Sequence, residues 1–323
     1  MKILLASSID SKAIEKLKDN HEVKCAFNAP EDQLKQEISD CEALIFRSGV
    51  QITAEVLAAA PGLKLVIRAG SGTDNVDLKF IREHNIPFRR IPEPGAKAVA
   101  ELSFGMMIAL ARNILKADAL VRQGVWAKPK LKGYLLTGKT LGIVGAGNIG
   151  SRVGFLGSAW GMNVIGCVEH PSPERAKELL QSKHMKLSSF DEVISQSDFI
   201  SIHVPLKETT QNLINRAVFQ KMKRGVYLIN LARGGVVNEQ DLLDALTKDK
   251  ILAGAGVDVH EHEGEGNLSP FAGLPNVVVT PHIGAQTFDS QREIGERILE
   301  LVNFQNTQKP ETASKNEIPA ARI

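Results

Sequence analysis

Three short motifs rich in polar side chains each follow an apolar run in the second half of the chain, at residues 230–237, 256–263 and 280–284. The first contains Arg233, whose guanidinium can hold a carboxylate through two parallel hydrogen bonds. The third contains His282, and a neighbouring carboxylate would stabilise its protonated ring and suit it to act as a general base. Together these residue types indicate binding of an organic acid and transfer of a proton.

Simpler interpretations exist for each of these side chains. Arg233 can be a surface charge, Glu263 can belong to a solvated acidic loop, and His282 can be a loop histidine. The position of each motif after a strand-like run favours the functional interpretation, because ligands of open α/β sheets gather at the carboxyl ends of strands.

Imidazoles and carboxylates are concentrated within the second motif, at His260, Glu261, His262, Glu263 and Glu265. These are ligand types that zinc accepts. No HExxH or CxxC frame accompanies them, so we predict that the protein binds no metal.

A glycine-rich turn precedes the three motifs, in the run T-L-G-I-V-G-A-G-N-I-G at residues 140–150. Gly145 permits a tight turn, Gly147 lets the backbone approach a pyrophosphate, and Gly150 lets the following helix pack closely on the sheet. The first helical N–H groups, at Asn148 and Ile149, would face the phosphates. The run predicts a dinucleotide site; the alternative is an ordinary strand-to-helix turn that happens to use glycine.

The elements around these motifs alternate between strand-like and helix-like runs. Strand runs are expected at 3–6, 22–25, 43–46 and 65–67, and again from residue 140 and at 163–167, 199–202, 227–230, 253–257 and 277–280. Long helices are expected at 96–113 and 290–304, and an irregular loop at 123–138. This pattern predicts an α/β protein with two Rossmann-like domains, each a doubly wound parallel sheet, the second with six strands.

The domain organisation follows from length and from the position of the dinucleotide site. A chain of 323 residues exceeds the size at which one core keeps growing. We expect a discontinuous substrate domain from residues 1–96 and 288–305, a nucleotide-binding domain from 97–287, and a flexible tail at 306–323.

Composition limits the possible partners and location. A net charge of +2 gives no reason to expect nucleic acid or an acidic membrane as partner. The three cysteines form no CxxC pair, and the short apolar start is too short for a secretory signal. The longest apolar stretch, at 98–111, is interrupted by Glu101 and Ser103 and falls short of a membrane span. We therefore expect a cytoplasmic protein.

The series G-A-G-N-I-G, L-A-R-G-G-V-V-N-E, D-V-H-E-H-E and T-P-H-I-G, in this order and spacing, resembles the D-isomer-specific 2-hydroxyacid dehydrogenases. The resemblance implies a catalytic set of Arg233, Glu263 and His282. His282 would take the C2 hydroxyl proton, Glu263 would hold the imidazole, and Arg233 would bind the substrate carboxylate. Hydride would pass between substrate C2 and the nicotinamide ring, with Asp258 at the carboxamide.

The resemblance implies NAD as cofactor. Members that use NAD commonly end the second Rossmann strand with aspartate; here that position is Val168, and Glu169 follows it. We expect Glu169 to accept the ribose hydroxyls and to repel a 2′-phosphate. His170, Ser172 and Arg175 keep NADP open as an alternative. The expected cofactor-binding residues are Gly145, Gly147, Asn148, Ile149, Gly150, Glu169, His203, Val204, Pro205, Thr210, Leu231, Ala232, Arg233, Asp258, His282 and Gly284.

The expected substrate is a small anionic 2-hydroxy or 2-oxo acid. Backbone N–H groups at Ser71 and Gly72, in R-A-G-S-G-T-D-N-V-D, would cradle its carboxylate. The other expected substrate-binding residues are Arg233, His282 and Arg47. Arg47 matches an arginine that family members acting on 3-phosphoglycerate use to bind the phosphate. We therefore expect 3-phosphoglycerate as substrate, with hydroxypyruvate, glyoxylate or another 2-oxo acid as the alternative.

Two departures from the family pattern accompany this expectation. Gly95 stands where many members have asparagine, and Lys97 nearby adds a cation, so a shifted substrate is possible. The chain carries no regulatory extension of the kind found in longer phosphoglycerate-oxidising members, so we expect no feedback through such a domain.

Family members are usually homodimers, and the resemblance implies the same here. An alternative of another class is a nucleotide-sensing scaffold similar to the C-terminal-binding protein corepressors.

Overall fold

A computed structural model describes residues 1–307 of the chain, and all structural statements refer to them. The strands of this part are β1 (Lys2–Leu5), β2 (Glu22–Cys25), β3 (Ala43–Phe46), β4 (Leu65–Arg68), β5 (Phe88–Arg90), β6 (Thr140–Val144), β7 (Asn163–Cys167), β8 (Lys186–Leu187), β9 (Phe199–Ile202), β10 (Val226–Asn230), β11 (Leu252–Val257) and β12 (Val277–Val279).

Helices connect most of these strands. They are α1 (Ser11–Asn20), α2 (Glu31–Ile38), α3 (Ala54–Ala58), α4 (Leu78–Glu83), α5 (Glu93–Ala111), α6 (Ile114–Arg122), α7 (Asn148–Ala159), α8 (Pro173–Lys183), α9 (Phe190–Gln196), α10 (Arg216–Phe219), α11 (Glu239–Thr247) and α12 (Phe288–Thr307), with one 3-10 turn at Lys128–Lys130.

The described chain divides into two compact units. Unit 1 is Met1–Gly95 together with the described residues from Gln286 onward, and unit 2 is Ala96–Ala285. These divisions fall within two residues of the boundaries expected from the sequence. The expected tail from residue 308 onward lies outside the described residues, whereas residues 306 and 307 belong to α12.

Unit 1 is built on a five-stranded parallel sheet with the order β2-β1-β3-β4-β5. The direction of winding reverses between β1 and β3, so the carboxyl ends of these two strands form the switch point at which ligands bind such sheets. β1, β3 and β4 are almost entirely buried, as expected of strands covered by helices on both faces.

The last helix completes unit 1. Ile294, Ile298 and Val302 recur at a spacing of four residues and are fully buried in a core with residues of α1 and β1. Gly295 permits this contact, because a Cβ there would lie 2.8 Å from the Cβ of Ala13. The helix that ends the described chain therefore packs on the first helix.

Unit 2 is built on a seven-stranded parallel sheet with the order β12-β11-β10-β9-β6-β7-β8. The chain runs from β6 outward to β7 and β8, and then returns to the other side of β6 at β9. The switch point lies between β6 and β9, where the glycine-rich turn begins. The predicted fold class, α/β with two doubly wound parallel sheets, is confirmed.

Several predicted elements need correction. Unit 2 has seven strands rather than six, because β8 (Lys186–Leu187) adds a two-residue edge strand, and unit 1 has a fifth strand, β5 (Phe88–Arg90). The expected helix 96–113 is α5, which begins three residues earlier and ends at Ala111. The helix α6 was not predicted, and α12 extends the expected 290–304 at both ends.

Among residues 1–307, no single helix is long and apolar enough to cross a membrane. Taken together, α5 and α6 have sufficient length and apolar content, but they are bent by 61° at their junction.

Candidate active site

The three polar motifs follow neighbouring strands of unit 2. Asn230 at the end of β10 pairs with Val257 at the end of β11, which pairs with Val279 at the end of β12. Because the three strands are parallel and in register, the segments carrying Arg233, Glu263 and His282 leave the sheet along one edge. The shared edge positions the motifs for a common site.

Two of the expected catalytic residues are in direct contact. Nδ1 of His282 lies 2.8 Å from Oε2 of Glu263, and the other carboxylate oxygen accepts a hydrogen bond of 3.2 Å from the His260 N–H. Burial alone would raise the pKa of Glu263, but its hydrogen bond to His282, the charge of that ring and the His260 N–H outweigh burial and lower the pKa. The carboxylate therefore stays ionised and holds the ring through Nδ1.

The turn that carries His282 has an unusual backbone conformation. His282 has a φ of 55°, in the left-handed region that side chains rarely adopt. Its N–H donates to the Asp258 carbonyl at 2.8 Å. Strain of this kind persists only where the surrounding contacts fix the conformation.

Asp258 supplies most of those contacts. Its side chain is 1% exposed, and its two oxygens accept hydrogen bonds from the Thr280 hydroxyl at 2.5 Å and from the N–H groups of Ile283 and Gly284, each at 2.8 Å. A carboxylate offers about four acceptor positions, so this one is largely occupied by protein. The structure therefore gives Asp258 a role in shaping the turn that carries His282, besides the expected contact with the carboxamide.

Arg233 begins a tight turn after β10. The buried Asn230 side chain accepts from the Ala232 N–H at 3.1 Å and donates to the Arg233 carbonyl at 3.2 Å. The Arg233 Nη1 donates to the Ala232 carbonyl at 2.7 Å. Leu231 and Ala232, expected near the cofactor, are 5% and 8% exposed, so this turn begins within the core of unit 2.

The glycine-rich turn is tightly packed at two of its glycines and open at the third. Gly145 has a φ of 92°, and a Cβ at Gly150 would lie 2.2 Å from the Gly145 carbonyl oxygen. A Cβ at Gly147 would meet no protein atom within 4 Å. The constraint at Gly145 and Gly150 is therefore internal packing, whereas the space beside Gly147 is open.

The N-terminus of α7 keeps its hydrogen-bond donors available. Its N-cap is Gly147, which provides no side-chain cap, and the first helical bond runs from Ser151 to Gly147 at 3.0 Å. The N–H groups of Asn148, Ile149 and Gly150 thus have no acceptor within the helix. Three N–H groups at a helix N-terminus can bind a phosphate.

Glu169 and Val168 follow β7 as expected. Val168 packs against the core, whereas Glu169 is exposed and lies 3.3 Å from Nζ of Lys207. Arg175, at the start of α8, donates to the Ala146 carbonyl at 2.5 Å and pairs with Glu178 at 2.8 Å. Lys207 and the Arg175 contact with the glycine-rich turn were not anticipated.

The remaining expected cofactor residues follow β9. The His203 side chain is half-buried, with its Nδ1 shielded from solvent and without a hydrogen-bond partner. Its Nε2 lies 2.8 Å from the Ser201 hydroxyl, and burial lowers its pKa to about 3. The Thr210 hydroxyl donates to the Pro205 carbonyl at 2.6 Å and accepts from the N–H of Lys207 at 2.8 Å. Val204 lies beside the position that a Gly145 Cβ would occupy. This segment thus borders the glycine-rich turn.

In unit 1, Arg47 follows β3 at the switch point of the sheet. Its N–H donates to the Ser7 hydroxyl, after β1, at 3.0 Å, and its Nη2 donates to the Gln286 amide oxygen at 2.9 Å. Its Nε is buried and has no hydrogen-bond partner, and burial lowers the pKa of the guanidinium. No carboxylate pairs with Arg47 among residues 1–307.

Ser71 and Gly72 lie after β4 in the same unit. The Ser71 hydroxyl donates to the Pro92 carbonyl at 3.3 Å, and its own carbonyl accepts from Arg90 at 3.3 Å. The buried Asn75 amide donates to the Arg47 carbonyl at 2.9 Å. The loop expected to bind a carboxylate is therefore linked to the Arg47 segment, and it is contacted by a further cation, Arg90 at the end of β5, that was not anticipated.

No group of His, Cys, Asp and Glu side chains within the described residues has the arrangement of a metal site. The sequence cluster around His260 is instead engaged in hydrogen bonds with its neighbours.

A doubly wound parallel sheet with a glycine-rich turn at its switch point defines a dinucleotide-binding protein. Residues 104–284 match the family described as D-isomer specific 2-hydroxyacid dehydrogenase, NAD binding domain. The chain belongs to this family of oxidoreductases, and the resemblance seen in its motifs is confirmed.

Individual relatives differ in their described activities. The chain is 38% identical to a hydroxypyruvate reductase of Thermotoga maritima, over 91% of this chain and 94% of that protein. It is 37% identical to a D-3-phosphoglycerate dehydrogenase of Methanocaldococcus jannaschii, over 94% of this chain but only 57% of that protein. Among solved structures, it resembles D-lactate dehydrogenase of Aquifex aeolicus complexed with NAD and lactic acid, with a TM-score of 0.82, 28% identity and 94% coverage of both chains.

Proposed function

We propose that this protein interconverts D-3-phosphoglycerate and its 2-oxo acid with NAD as cofactor. The pair formed by His282 and Glu263 carries the proposal for the reaction, because an imidazole held by an ionised carboxylate is the arrangement that proton transfer at a hydroxyl requires.

The roles of the catalytic residues follow from this contact. Since Nδ1 of His282 is bonded to Glu263, Nε2 is left for the substrate, and it accepts the C2 hydroxyl proton in oxidation and returns it in reduction. Glu263 orients the ring and stabilises its charged form. Arg233 binds the substrate carboxylate and polarises the C2 carbonyl in reduction. The nicotinamide of the bound dinucleotide supplies the hydride acceptor or donor.

Three observations support NAD over NADP. Glu169 offers a carboxylate to ribose hydroxyls and repels a 2′-phosphate. The Ser172 hydroxyl already caps α8, where it accepts from the Arg175 N–H at 3.2 Å. The Arg175 guanidinium is engaged by Ala146 and Glu178. Lys207 offsets part of the Glu169 charge.

The environment of Arg47 supports a phosphorylated substrate. A guanidinium with a buried, unpaired Nε and no counter-charge is costly, and a bound phosphate would supply both the charge and an acceptor for that Nε. Among residues 1–307, the neutral amide of Gln286 leaves that charge uncompensated. Ser71 and Gly72 are proposed to bind the substrate carboxylate through their N–H groups.

A second candidate activity is reduction of hydroxypyruvate. It is favoured by the Thermotoga maritima relative, of which the chain covers nearly the full length. Hydroxypyruvate and phosphohydroxypyruvate differ only by the phosphate, so Arg47 is the residue that should separate them.

The test is oxidation of NADH and of NADPH with phosphohydroxypyruvate, hydroxypyruvate, glyoxylate and 2-oxoglutarate. We expect the highest kcat/KM with phosphohydroxypyruvate and NADH. Arg47→Gln should lower kcat/KM for phosphohydroxypyruvate by about 10- to 100-fold, the value of a charge-assisted hydrogen bond. The same variant should change kcat/KM for glyoxylate less than about two-fold.

Arg89→Gln provides the matched control, since Arg89 is exposed on β5 and its side chain donates, within the described part of the chain, only to the carbonyl of its neighbour Phe88. An equal loss for glyoxylate and the phosphorylated substrate would contradict the phosphate role of Arg47. Binding of NADH without turnover of any of these acids would favour the nucleotide-sensing scaffold.

We further propose that the protein is a homodimer formed through α6 and the segment after it. No residue of α6 is buried, although it carries Ile114, Leu115 and Val121, and Trp126 beyond it is 81% exposed. Apolar surface of this extent is typical of a protein interface. A cytoplasmic location remains a prediction.

A further inference from the structure

His260 lies in the connection between β11 and the Glu263 loop, three residues beyond the end of the strand. Its side chain is 14% exposed, whereas its neighbours Glu261 and His262 are exposed. A polar ring kept from solvent in an otherwise exposed loop requires an explanation in its contacts.

The backbone of His260 contacts Glu263. The His260 N–H donates to Oε1 of Glu263 at 3.2 Å, while Oε2 of the same carboxylate faces Nδ1 of His282 at 2.8 Å. The carboxylate thus lies between these two partners, and a shift of the His260 backbone would move the oxygen that holds the base.

The imidazole of His260 contacts the segment that carries His282. Its Nε2 lies 3.3 Å from the carbonyl oxygen of Thr280, two residues before His282. A carbonyl can only accept, so the hydrogen of this bond is on Nε2. The next residue, Pro281, has its own φ fixed by its ring. Anchoring the Thr280 carbonyl therefore restrains the backbone position of His282.

The same residue also packs against the Arg233 turn. A Cβ at Gly234 would lie 1.9 Å from the His260 carbonyl oxygen, so this backbone contact requires glycine. On its other side, Nδ1 of His260 lies 3.9 Å from Oε1 of Glu239, at the start of α11, and that oxygen accepts from the Glu261 N–H at 2.9 Å. His260 therefore contacts all three segments that carry the proposed catalytic residues.

We propose that His260 is a positioning residue, whose Nε2–H bond to the Thr280 carbonyl holds the Glu263 loop and the His282 turn at the separation that proton transfer requires. The inference rests on the proposed function of the His282–Glu263 pair. The loop needs such a link, because Gly264 and Gly266, both at positive φ, follow Glu263 and leave its backbone few restraints of its own.

The test compares His260→Phe with His260→Gln. Phenylalanine keeps a planar ring but removes the donor, whereas the glutamine amide nitrogen can reach the position of Nε2. We expect His260→Phe to lower kcat by about 10-fold, the value of one hydrogen bond, with the KM for NADH changed less than about two-fold. His260→Gln should restore kcat to within about three-fold of the parent.

The pH dependence of oxidation gives a second readout. With Glu263 less firmly held against His282, the acidic limb of kcat should move to lower pH in His260→Phe, because the protonated ring loses stabilisation. His262→Phe is the matched control, since His262 is the exposed neighbour in the same loop and should leave kcat and the pH profile unchanged.

Two outcomes would overturn the inference alone: His260→Phe with the parent's kcat and pH profile, or His260→Gln as impaired as His260→Phe. His282→Ala separates this failure from that of the proposed function. If His282→Ala retained the parent's turnover, the assignment of the base would be wrong, and the role of His260 would be wrong with it.

Discussion

His203 illustrates how a single half-buried side chain makes stability depend on pH. Its Nδ1 is shielded from solvent without a hydrogen-bond partner, its Nε2 contacts the Ser201 hydroxyl, and burial lowers its pKa from 6.5 to about 3. In the unfolded chain the ring is protonated below 6.5, whereas in the folded chain it stays neutral. The contribution to stability is therefore complete above pH 6.5 and is lost as pH falls towards 3.

We predict that this difference costs the folded protein about 2 kcal/mol between pH 7 and pH 5. Urea unfolding of the parent and of His203→Gln at both pH values measures it. Glutamine does not titrate, so the variant should lack this part of the pH dependence, whatever its stability at pH 7. Parallel losses in the two proteins would show that His203 does not dominate the acid sensitivity.

At the scale of the element, the turn between β6 and α7 contains a glycine that packing requires, Gly150, and a glycine beside open space, Gly147. Gly150→Ala places a Cβ 2.2 Å from the Gly145 carbonyl oxygen, a backbone atom that cannot yield without moving the helix. We expect this variant to lose about 1–3 kcal/mol of unfolding free energy. Its NADH affinity should fall as well, since the N–H groups expected to face the phosphates lie at the N-terminus of α7.

Gly147→Ala should behave in the opposite way. Its Cβ would meet no protein atom, so the unfolding free energy should stay within about 0.5 kcal/mol of the parent. NADH affinity should nevertheless fall by at least about 10-fold, because the methyl group would occupy the space that a pyrophosphate needs. Urea unfolding without cofactor and a fluorescence titration with NADH measure the two quantities, and unchanged affinity would contradict the assignment of the phosphate site.

The elements best predicted from the sequence are those whose burial leaves a strong pattern. β3, β9 and β10 are buried along their whole length, so their apolar runs identify them directly. β8 has two residues and β5 contains two arginines, and neither carries an apolar run that marks a strand. Such edge strands are specified by their neighbours in the sheet, a signal that is absent from the segment itself.

The site was predictable where a motif fixes the backbone, and less so where contacts are long-range. The turns of Gly145, Arg233 and His282 follow strands and could be located from spacing. The partners of Glu169 and Arg47 could not, since Lys207 and Gln286 are distant in sequence and adjacent only in the fold. A polar residue in a turn gives no indication of which distant side chain it meets.

At the scale of the whole molecule, the proposed homodimer predicts a specific sensitivity. Trp126→Ser should raise the dissociation constant of the dimer by at least about 30-fold, because an exposed tryptophan at the centre of an interface typically contributes 2 kcal/mol or more. Sedimentation velocity over a range of concentrations measures it. Leu268→Ser is the control, since Leu268 is 85% exposed in another loop and should leave the dimer intact; a monomeric parent would contradict the proposal.

The packing of α12 on α1 has a consequence for synthesis. Residues 1–95 emerge from the ribosome before α12, but Ile294, Ile298 and Val302 belong to the core around Leu5 and Leu17. Until α12 is made, one face of α1 has no cover, and the intervening unit 2 can fold first and bring the two pieces of unit 1 closer than a flexible connection would. Unit 1 is thus begun before unit 2 and completed after it, and a nascent chain halted before residue 288 exposes apolar surface that chaperones and proteases recognise.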